Sequence, residues 1–165
     1  MHKKILILGD AGRGKTTLAK KLSEKFNIPC HDTDDYFWKT KYTEPADREQ
    51  SVIDINKIYD TPEWIMSGST RRLIIYGIEK ADVIFVLKFR NIFYQYYFII
   101  KRSLSREEEK LIDLWNLLKH VTYKKYKKGY GSHVPPLEEL IGDYEKKVIV
   151  FYSMKEINKY LENIK

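Results

Sequence analysis

Short apolar runs alternate along the chain with longer segments in which apolar residues recur at helical spacing. The short runs predict strands and the longer segments predict helices, an order typical of a parallel sheet that helices cover on both faces. We expect five strands, from Lys4 to Leu8, Pro29 to Asp32, Trp64 to Ser67, Asp82 to Lys88 and Lys147 to Tyr152. The predicted helices run from Lys15 to Phe26, Asp47 to Tyr59, Thr70 to Ile78, Asn91 to Leu104, Arg106 to Lys125 and Ser153 to Asn163. Right-handed crossovers between parallel strands then predict an α/β fold of three layers.

A glycine-rich segment joins the first predicted strand to the first predicted helix. It runs Gly9-Asp10-Ala11-Gly12-Arg13-Gly14-Lys15-Thr16 and fits the pattern G-x-x-x-x-G-K-[ST]. Glycines allow the backbone to curl so that successive N–H groups point at phosphate oxygens where a helix begins. In such a loop the lysine reaches the β- and γ-phosphates, and the hydroxyl that follows ligates Mg²⁺. An ordinary strand-to-helix turn is the alternative, but the order of strand, loop and helix favours a phosphate-binding P-loop. We expect it to hold ATP through Gly9 to Thr17, with Thr16 on the metal.

Composition limits the class of protein but does not identify its binding partner. The chain has 165 residues, of which 43% are hydrophobic, so we expect one domain over residues 1–165. A formal net charge of +7 favours anionic partners, and a nucleotide, a nucleic acid or an acidic membrane satisfies it equally. Cys30 is the single cysteine, which excludes an intrachain disulfide, and we expect it to be buried. No apolar stretch reaches the roughly 18 residues of a membrane span and no signal-peptide pattern is present, so we expect a cytoplasmic protein.

Three carboxylates follow the second predicted strand, in the segment Asp32-Thr33-Asp34-Asp35. This is the strand edge at which open α/β sheets bind ligands. If the strand continues to Asp34, Asp32 and Asp34 project on the same side because side chains alternate along a strand. One of the two then holds Mg²⁺ and the other orients or deprotonates an acceptor hydroxyl, and we assign the metal to Asp32 and the acceptor to Asp34. The alternative is that Thr33 or Asp34 caps the next helix.

Arg71 and Arg72 follow the third predicted strand and begin a helix. A cation is unfavourable at the positive end of a helix, which indicates that an anion lies nearby. The planar guanidinium of Arg71 suits a phosphate or carboxylate, and we expect it to bind the acceptor. Simple solvation of a first-turn arginine is the alternative.

A charged segment separates two helical patterns and predicts a small lid at about residues 101–110. It contains Arg102 and Arg106, four residues apart, and Arg90 follows the fourth predicted strand. A cation that closes over the transferring phosphoryl group would neutralise developing charge, and closure would exclude water. We therefore take Arg102 and Arg106 as candidate catalytic residues, although ion pairing with neighbouring acids or solvation explains them equally well.

Cations and aromatic residues alternate in Tyr123-Lys124-Lys125-Tyr126-Lys127-Lys128-Gly129-Tyr130. This composition can grip a nucleic-acid backbone and stack bases, but a solvated helix end explains it better. The remaining candidates are three histidines without metal-ligand spacing and three tryptophans that we expect in the core or a pocket wall: His31, His120 and His133, and Trp38, Trp64 and Trp115.

Together these residues resemble the small P-loop kinases. The Asp32-Thr33-Asp34 pattern resembles shikimate kinases, and Ser67-Gly68-Ser69-Thr70-Arg71 resembles a stretch of adenylate kinases. The overall resemblance is strongest to the FlaR-type DNA topology modulation proteins, which are nucleotide-kinase-like. It rests on Asp34 with Phe37-Trp38, on Trp64-Ile65-Met66-Ser67-Gly68 and on the spacing of Arg102 and Arg106. The resemblance implies a P-loop NTPase fold with a five-stranded parallel sheet of order 2-3-1-4-5 and ATP as cofactor.

The function that we expect is Mg²⁺- and ATP-dependent phosphoryl transfer, with Lys15 as a catalytic residue. A nucleoside monophosphate is the favoured acceptor, and a shikimate-type small molecule is an alternative. The competing class is a nucleotide-controlled regulator or a nucleic-acid-associated ATPase, in which ATP presents the Tyr/Lys stretch to a partner. Nucleic acid is the less favoured partner, and we expect no membrane partner.

Overall fold

The apolar runs form a parallel sheet in the computed structural model, which describes residues 2–40, 44–88, 91–104, 111–126 and 137–164. Its five strands are β1 (Lys4–Gly9), β2 (Cys30–Asp32), β5 (Trp64–Gly68), β6 (Val83–Leu87) and β7 (Val148–Phe151). The longer helices are α1 (Lys15–Phe26), α3 (Arg48–Tyr59), α4 (Arg71–Lys80), α5 (Ile92–Leu104), α6 (Leu111–Lys125) and α8 (Met154–Asn163). The predicted strands and helices are confirmed within three residues at their described ends. The start of the sixth predicted helix, at Arg106, lies outside the described residues.

The sheet order is β2-β5-β1-β6-β7, and all four neighbouring pairs are parallel. Numbered by their place in the chain, these strands have the order 2-3-1-4-5, which confirms the expected fold. The register sets Leu8 of β1 opposite Gly68 of β5, and Gly9 opposite Leu87 of β6. The carboxyl ends of these strands therefore meet at one edge of the sheet.

Strand β1 shows why helices cover the sheet on both sides. Its side chains alternate between the two faces, and four consecutive residues from Ile5 to Leu8 are at most 1% exposed. Ile5 and Ile7 belong to the core cluster that contains the buried residues of α1 and α8. Leu6 and Leu8 belong to a second cluster with the buried residues of α3 and α4. Two apolar layers on a continuously apolar strand produce the predicted three-layer arrangement.

Five short elements are absent from the sequence prediction. They are α2 (Thr33–Phe37), the antiparallel pair β3 (Trp38–Thr40) and β4 (Glu44–Pro45), α7 (Leu137–Ile141) and a 3₁₀ helix (Gly142–Lys147). Each is shorter than the window over which apolar periodicity can be recognised.

Two burial predictions are wrong. Cys30 is exposed, because β2 is an edge strand and its first residue faces solvent. Trp115 is 56% exposed on α6, whereas Trp64 is fully buried as predicted. Among the described residues, no helix has both the length and the apolar character that crossing a bilayer requires.

Gly77 lies where α4 packs against Tyr59 of α3, and this contact leaves no room for a methyl group. A Cβ at position 77 would lie 2.5 Å from ring carbon Cε1 of Tyr59. The ring is held in place, since its hydroxyl donates to the carbonyl of Leu73 at 2.9 Å and its centroid lies 4.9 Å from that of Trp64.

We expect Gly77→Ala to lower the free energy of unfolding by up to about 2 kcal/mol, measured by urea denaturation. Overpacking a core costs about 1–3 kcal/mol, which outweighs the gain of about 1 kcal/mol from the better helix propensity of alanine. Gly142→Ala is the matched control, because a Cβ there meets no atom within 4 Å. Equal stability of the two variants would contradict the packing argument.

Candidate active site

The glycine-rich segment forms a loop between β1 and the amino end of α1. Gly12 and Gly14 have φ angles of 74° and 80°, in the left-handed region that glycine adopts without strain. Gly14 is the N-cap residue of α1 and provides no side chain to cap it, and the first turn of the helix contains no acidic residue. The amino end of this 12-residue helix, with Lys15, Thr16 and Thr17 in its first turn, therefore suits an anion. The Nζ atom of Lys15 donates to the carbonyl oxygen of Asp10 at 3.1 Å, so the lysine folds back over the loop.

Arg13 braces the loop against the sheet. Its guanidinium pairs with the carboxylate of Asp10 at 2.9 Å and donates to the carbonyl of Leu87, the last residue of β6, at 2.8 Å. Asp10 and Arg13 are thus paired with each other within the loop. The side chains of these two predicted nucleotide-binding residues therefore hold the loop in shape.

Helix α5 supports the loop from the other side. Gln95 is 3% exposed, and its side-chain amide donates to the carbonyl of Ala11 at 2.6 Å. Gly12 packs so closely on α5 that a Cβ at this position would lie 2.7 Å from Cγ1 of Ile99. The loop is therefore held in place before any ligand binds.

Asp32 is the centre of a hydrogen-bond network at the end of β2. Its Oδ2 atom accepts from the hydroxyl of Thr16 at 3.0 Å and from that of Ser67 at 2.8 Å. Its Oδ1 atom accepts from the backbone N–H of Asp34 at 3.1 Å. A single carboxylate thus links the first turn of α1, the end of β5 and the start of α2.

The predicted alternation of Asp32 and Asp34 along one strand is wrong. Strand β2 ends at Asp32, and α2 begins at Thr33 with Asp32 as its N-cap residue. Capping by Thr33 or Asp34, the alternative considered from the sequence, is also wrong. Asp32 is the cap instead, because its side chain accepts from the backbone N–H of Asp34 in the first turn of α2. Asp34 therefore lies half-buried in the first turn of α2, two residues after Asp32 and outside the strand.

Thr33 and Gly68 fix how α2 sits on the sheet. Thr33 is fully buried, and any Cβ at position 68 would collide with its side chain. The absence of a side chain at Gly68 thus allows the residue between Asp32 and Asp34 to pack directly on β5.

Two titratable groups lie beside α2. The ring atom Nδ1 of His31 and the hydroxyl of Tyr36 are 3.3 Å apart. Burial lowers the pKa of His31, although the charge of Asp35 opposes this shift. Burial raises the pKa of Tyr36, and Asp35 adds to that shift. Both changes favour the neutral forms, so these two side chains add no charge to the site near neutral pH.

Arg71 begins α4 at the carboxyl end of β5, as predicted. Its guanidinium donates to the carbonyl of Ser69 at 2.9 Å, and its Nε atom is buried without a hydrogen-bond partner among the described residues. Thr70, the N-cap residue, makes no side-chain capping bond, and the first turn of α4 holds no acidic residue. A buried N–H of a cation that lacks an acceptor indicates a place for an anion. Arg72 is exposed.

The predicted lid is described only in part. Arg102 lies in the last turns of α5, and its side chain is not among those described. Arg90, Arg106 and residues 105–110 lie outside the described residues, as do His133 and residues 127–130 of the Tyr/Lys stretch. The structure therefore does not test the roles of the arginines or of that stretch.

Three residues that contact the site were missed from the sequence: Gln95, Ser67 and Thr33. Gln95 could have been recognised from the sequence. It is a polar residue in the apolar run from Ile92 to Ile100, and its spacing from Ile92 and Ile99 places it on the buried face of the helix. Ser67 and Thr33 carry none, since their roles depend on which strands become neighbours.

The donor set fits Mg²⁺ and ATP. Mg²⁺ prefers hard oxygen ligands, and the Thr16 hydroxyl and the Asp32 carboxylate lie together beside the loop. The uncapped amino end of α1 and the Lys15 ammonium provide the positive charge that a triphosphate requires. Among the described residues, no group of three or more His, Cys, Asp or Glu side chains forms a metal site without a nucleotide.

No family model matches the chain. The uncharacterized protein YqaC of Bacillus subtilis (strain 168) is 34% identical over 74 residues, which are 42% of this chain and 39% of that protein. The chain thus spans less than half the length of the curated relative that it matches.

Solved structures match nearly the whole chain at low identity. Shikimate kinase from Bacteroides thetaiotaomicron superposes with a TM-score of 0.57 at 14% identity, over 98% of this chain and 96% of that one. Shikimate kinase from Acinetobacter baumannii in complex with shikimate gives 0.57 at 13% identity, over 97% and 91%. A sugar kinase from Janibacter sp. gives 0.55 at 14% identity, over 98% and 91%. The chain therefore has the α/β fold of the P-loop kinases.

Proposed function

We propose that the protein is a Mg²⁺- and ATP-dependent phosphotransferase that acts on an oxygen atom of a small anionic acceptor. The observation that carries this proposal is the network of Asp32, which joins the helix that follows the P-loop to the strand ends where an acceptor would lie. The backbone N–H of Asp34 belongs to the same network, so a carboxylate suited to an acceptor follows the metal-side carboxylate by two residues.

Each residue has a defined task in this proposal. Bound Mg²⁺-ATP would supply the phosphoryl group and neutralise part of its charge. The loop amides and Lys15 would bind the phosphates, and Thr16 and Asp32 would hold the metal. Asp34 would orient the acceptor oxygen and, where that oxygen is a hydroxyl, take its proton, while Arg71 would bind the negative group of the acceptor. Arg102 and Arg106 remain candidates for closing over the phosphates.

The acceptor is the part on which the sequence and the solved structures differ. The sequence favours a nucleoside monophosphate, and the superposable structures are shikimate and sugar kinases. Both a monophosphate and a hydroxylated carboxylic acid carry an anionic group for Arg71 and a reactive oxygen for Asp34. We infer the shared chemistry, and the shikimate-type acceptor is supported at least as well as the monophosphate.

A product-resolved assay distinguishes these acceptors. The protein is incubated with ATP, with and without Mg²⁺, and with each nucleoside monophosphate, shikimate or simple sugars and sugar acids. We expect ADP and one phosphorylated acceptor in equal amounts, and only when Mg²⁺ is present. Release of ADP without any phosphorylated acceptor, together with salt-sensitive and ATP-dependent binding of DNA, would favour the nucleotide-controlled regulator instead.

We expect Arg71→Met to raise the KM for the acceptor roughly 10- to 100-fold, because a hydrogen bond to a charged group contributes about 1.5–3 kcal/mol. ATP affinity, measured by calorimetry, should stay unchanged, since Arg71 lies at α4 rather than at the loop. Arg72→Met is the matched control because Arg72 is the exposed neighbour on the same turn. A loss of ATP affinity in Arg71→Met would contradict its assignment to the acceptor.

A further inference from the structure

Helices α5 and α6 carry most of the large apolar side chains that the protein exposes to solvent. Among the described residues, nine of the thirteen exposed large hydrophobic side chains lie on these two helices. Phe93, Leu104 and Leu111 are 74%, 82% and 83% exposed. This concentration sets the two helices apart from the other described parts of the chain, where the remaining four are Ile53, Ile75, Tyr126 and Tyr152.

Helix α5 has two apolar sides, roughly 120° apart around its axis. Its inner side packs on the protein through Ile92 and Ile99, which are 7% and 1% exposed. Its outer side carries Phe93, Tyr97, Ile100 and Leu104, spaced by four, three and four residues. That spacing places all four on one stripe of the helix, as in the contact seam of a coiled coil. A helix that is apolar on both sides is typical of one that is covered on both sides.

Helix α6 extends this stripe into a surface. The hydroxyls of Tyr96 and Thr122 are hydrogen-bonded, which joins the two helices along their sides. Trp115 of α6 is 56% exposed. We call the exposed side chains of both helices, centred on Phe93, Tyr97, Ile100, Leu104, Leu111 and Trp115, the outer face.

The size of the outer face matches an interface between folded proteins. Five of its nine side chains are aromatic and between 43% and 74% exposed, so the whole face presents on the order of 1,000 Å² of apolar area. The largest apolar patch of a typical monomer is about 300–600 Å². A stable interface buries about 800 Å² on each partner. The outer face therefore suffices for a stable dimer.

We propose that the outer face is the contact surface of a homodimer, in which α5 and α6 of two copies pack as four helices around a twofold axis. Its chemistry favours a second apolar face over a nucleic acid, because exposed leucines such as Leu104 and Leu111 cannot stack bases. The lysines of this face are compatible with the contact, since the ammonium groups of Lys101 and Lys119 lie 5.9 Å and 5.6 Å from the ring centroids of Tyr97 and Trp115. This inference is independent of the proposed function.

Sedimentation velocity of the full chain between about 1 and 100 µM tests the proposal. We expect the wild type to be a dimer, and Tyr97→Glu with Ile100→Glu to raise the dissociation constant by at least roughly 30-fold, the effect of losing one strong interface residue. Tyr152→Glu is the control, because Tyr152 is 45% exposed outside both helices, and it should remain a dimer. Circular dichroism and urea denaturation verify that each variant is folded.

Three results would overturn the proposal: a monomeric wild type at 100 µM, a dimer that the double variant leaves intact, and a monomer whose outer face instead binds anionic vesicles or a single-stranded oligonucleotide. The double variant would lose vesicle or oligonucleotide binding only in the third case, so the three outcomes are distinguishable.

Discussion

Replacing Lys15 with alanine is expected to lower the rate of phosphoryl transfer roughly 10²- to 10³-fold. The loss of one preorganised donor at a site of developing charge costs about 3–4 kcal/mol of barrier. The proposed function assigns this role to Lys15, whose ammonium already lies over the loop at the carbonyl of Asp10. The rate is measured at saturating ATP, so that weaker nucleotide binding does not account for the loss.

Lys20→Ala is the matched control for this variant. Lys20 is exposed on the same helix, five residues further along, and removing it changes the net charge by the same amount. We expect it to transfer phosphate at the wild-type rate. A Lys15→Ala protein as active as the Lys20→Ala protein would show that the loop does not act on a phosphoryl group.

The fold was predictable because it depends on local pattern. Each strand of the sheet is a short apolar run, and each long helix shows its period over ten or more residues. The order of the strands did not come from that pattern but from the resemblance that the P-loop and the motifs after it carry. Even the site's position was predictable, because the carboxyl ends of parallel strands share one edge.

The detailed contacts of the candidate site were not predicted. The second strand was expected to end at Asp32, as it does, but Thr33 or Asp34 was considered as the helix cap, whereas the carboxylate of Asp32 accepts from the N–H of Asp34 and starts the helix. Ser67 reaches Asp32 only because β5 lies beside β2, with the two residues in register. The first contact is local, but the helix that it starts is only five residues long and shows no apolar period. The second joins residues 35 apart, so no local window encodes it.

The side chains of two loop residues have partners within the protein, which the sequence did not predict. Asp10 and Arg13 were grouped with the nucleotide-binding residues, but their side chains pair with each other and with β6. Together with Gln95 from α5, they hold the loop in its curled form. A loop held in place beforehand loses less entropy when it binds phosphate, which favours tight binding.

Asp34→Asn is expected to reduce kcat roughly 10²- to 10⁴-fold, the usual contribution of a general base. Asparagine keeps the shape of the side chain and removes its ability to accept a proton. The affinity for Mg²⁺-ATP should be unchanged, because the backbone N–H of Asp34 donates to Asp32 and the substitution leaves that N–H in place.

Asp35→Asn separates catalysis from helix stability. Both residues are acids in the first turn of α2, and each stabilises it by about 0.3–1 kcal/mol through the helix dipole, so both variants lose this contribution. Asp35 is exposed whereas Asp34 is half-buried, and only Asp34 is assigned to the acceptor. If the two variants lost kcat equally, the effect would come from the helix. If Asp34→Asn alone lost it and ATP affinity held, the carboxylate of Asp34 would be the group that takes the proton of the acceptor.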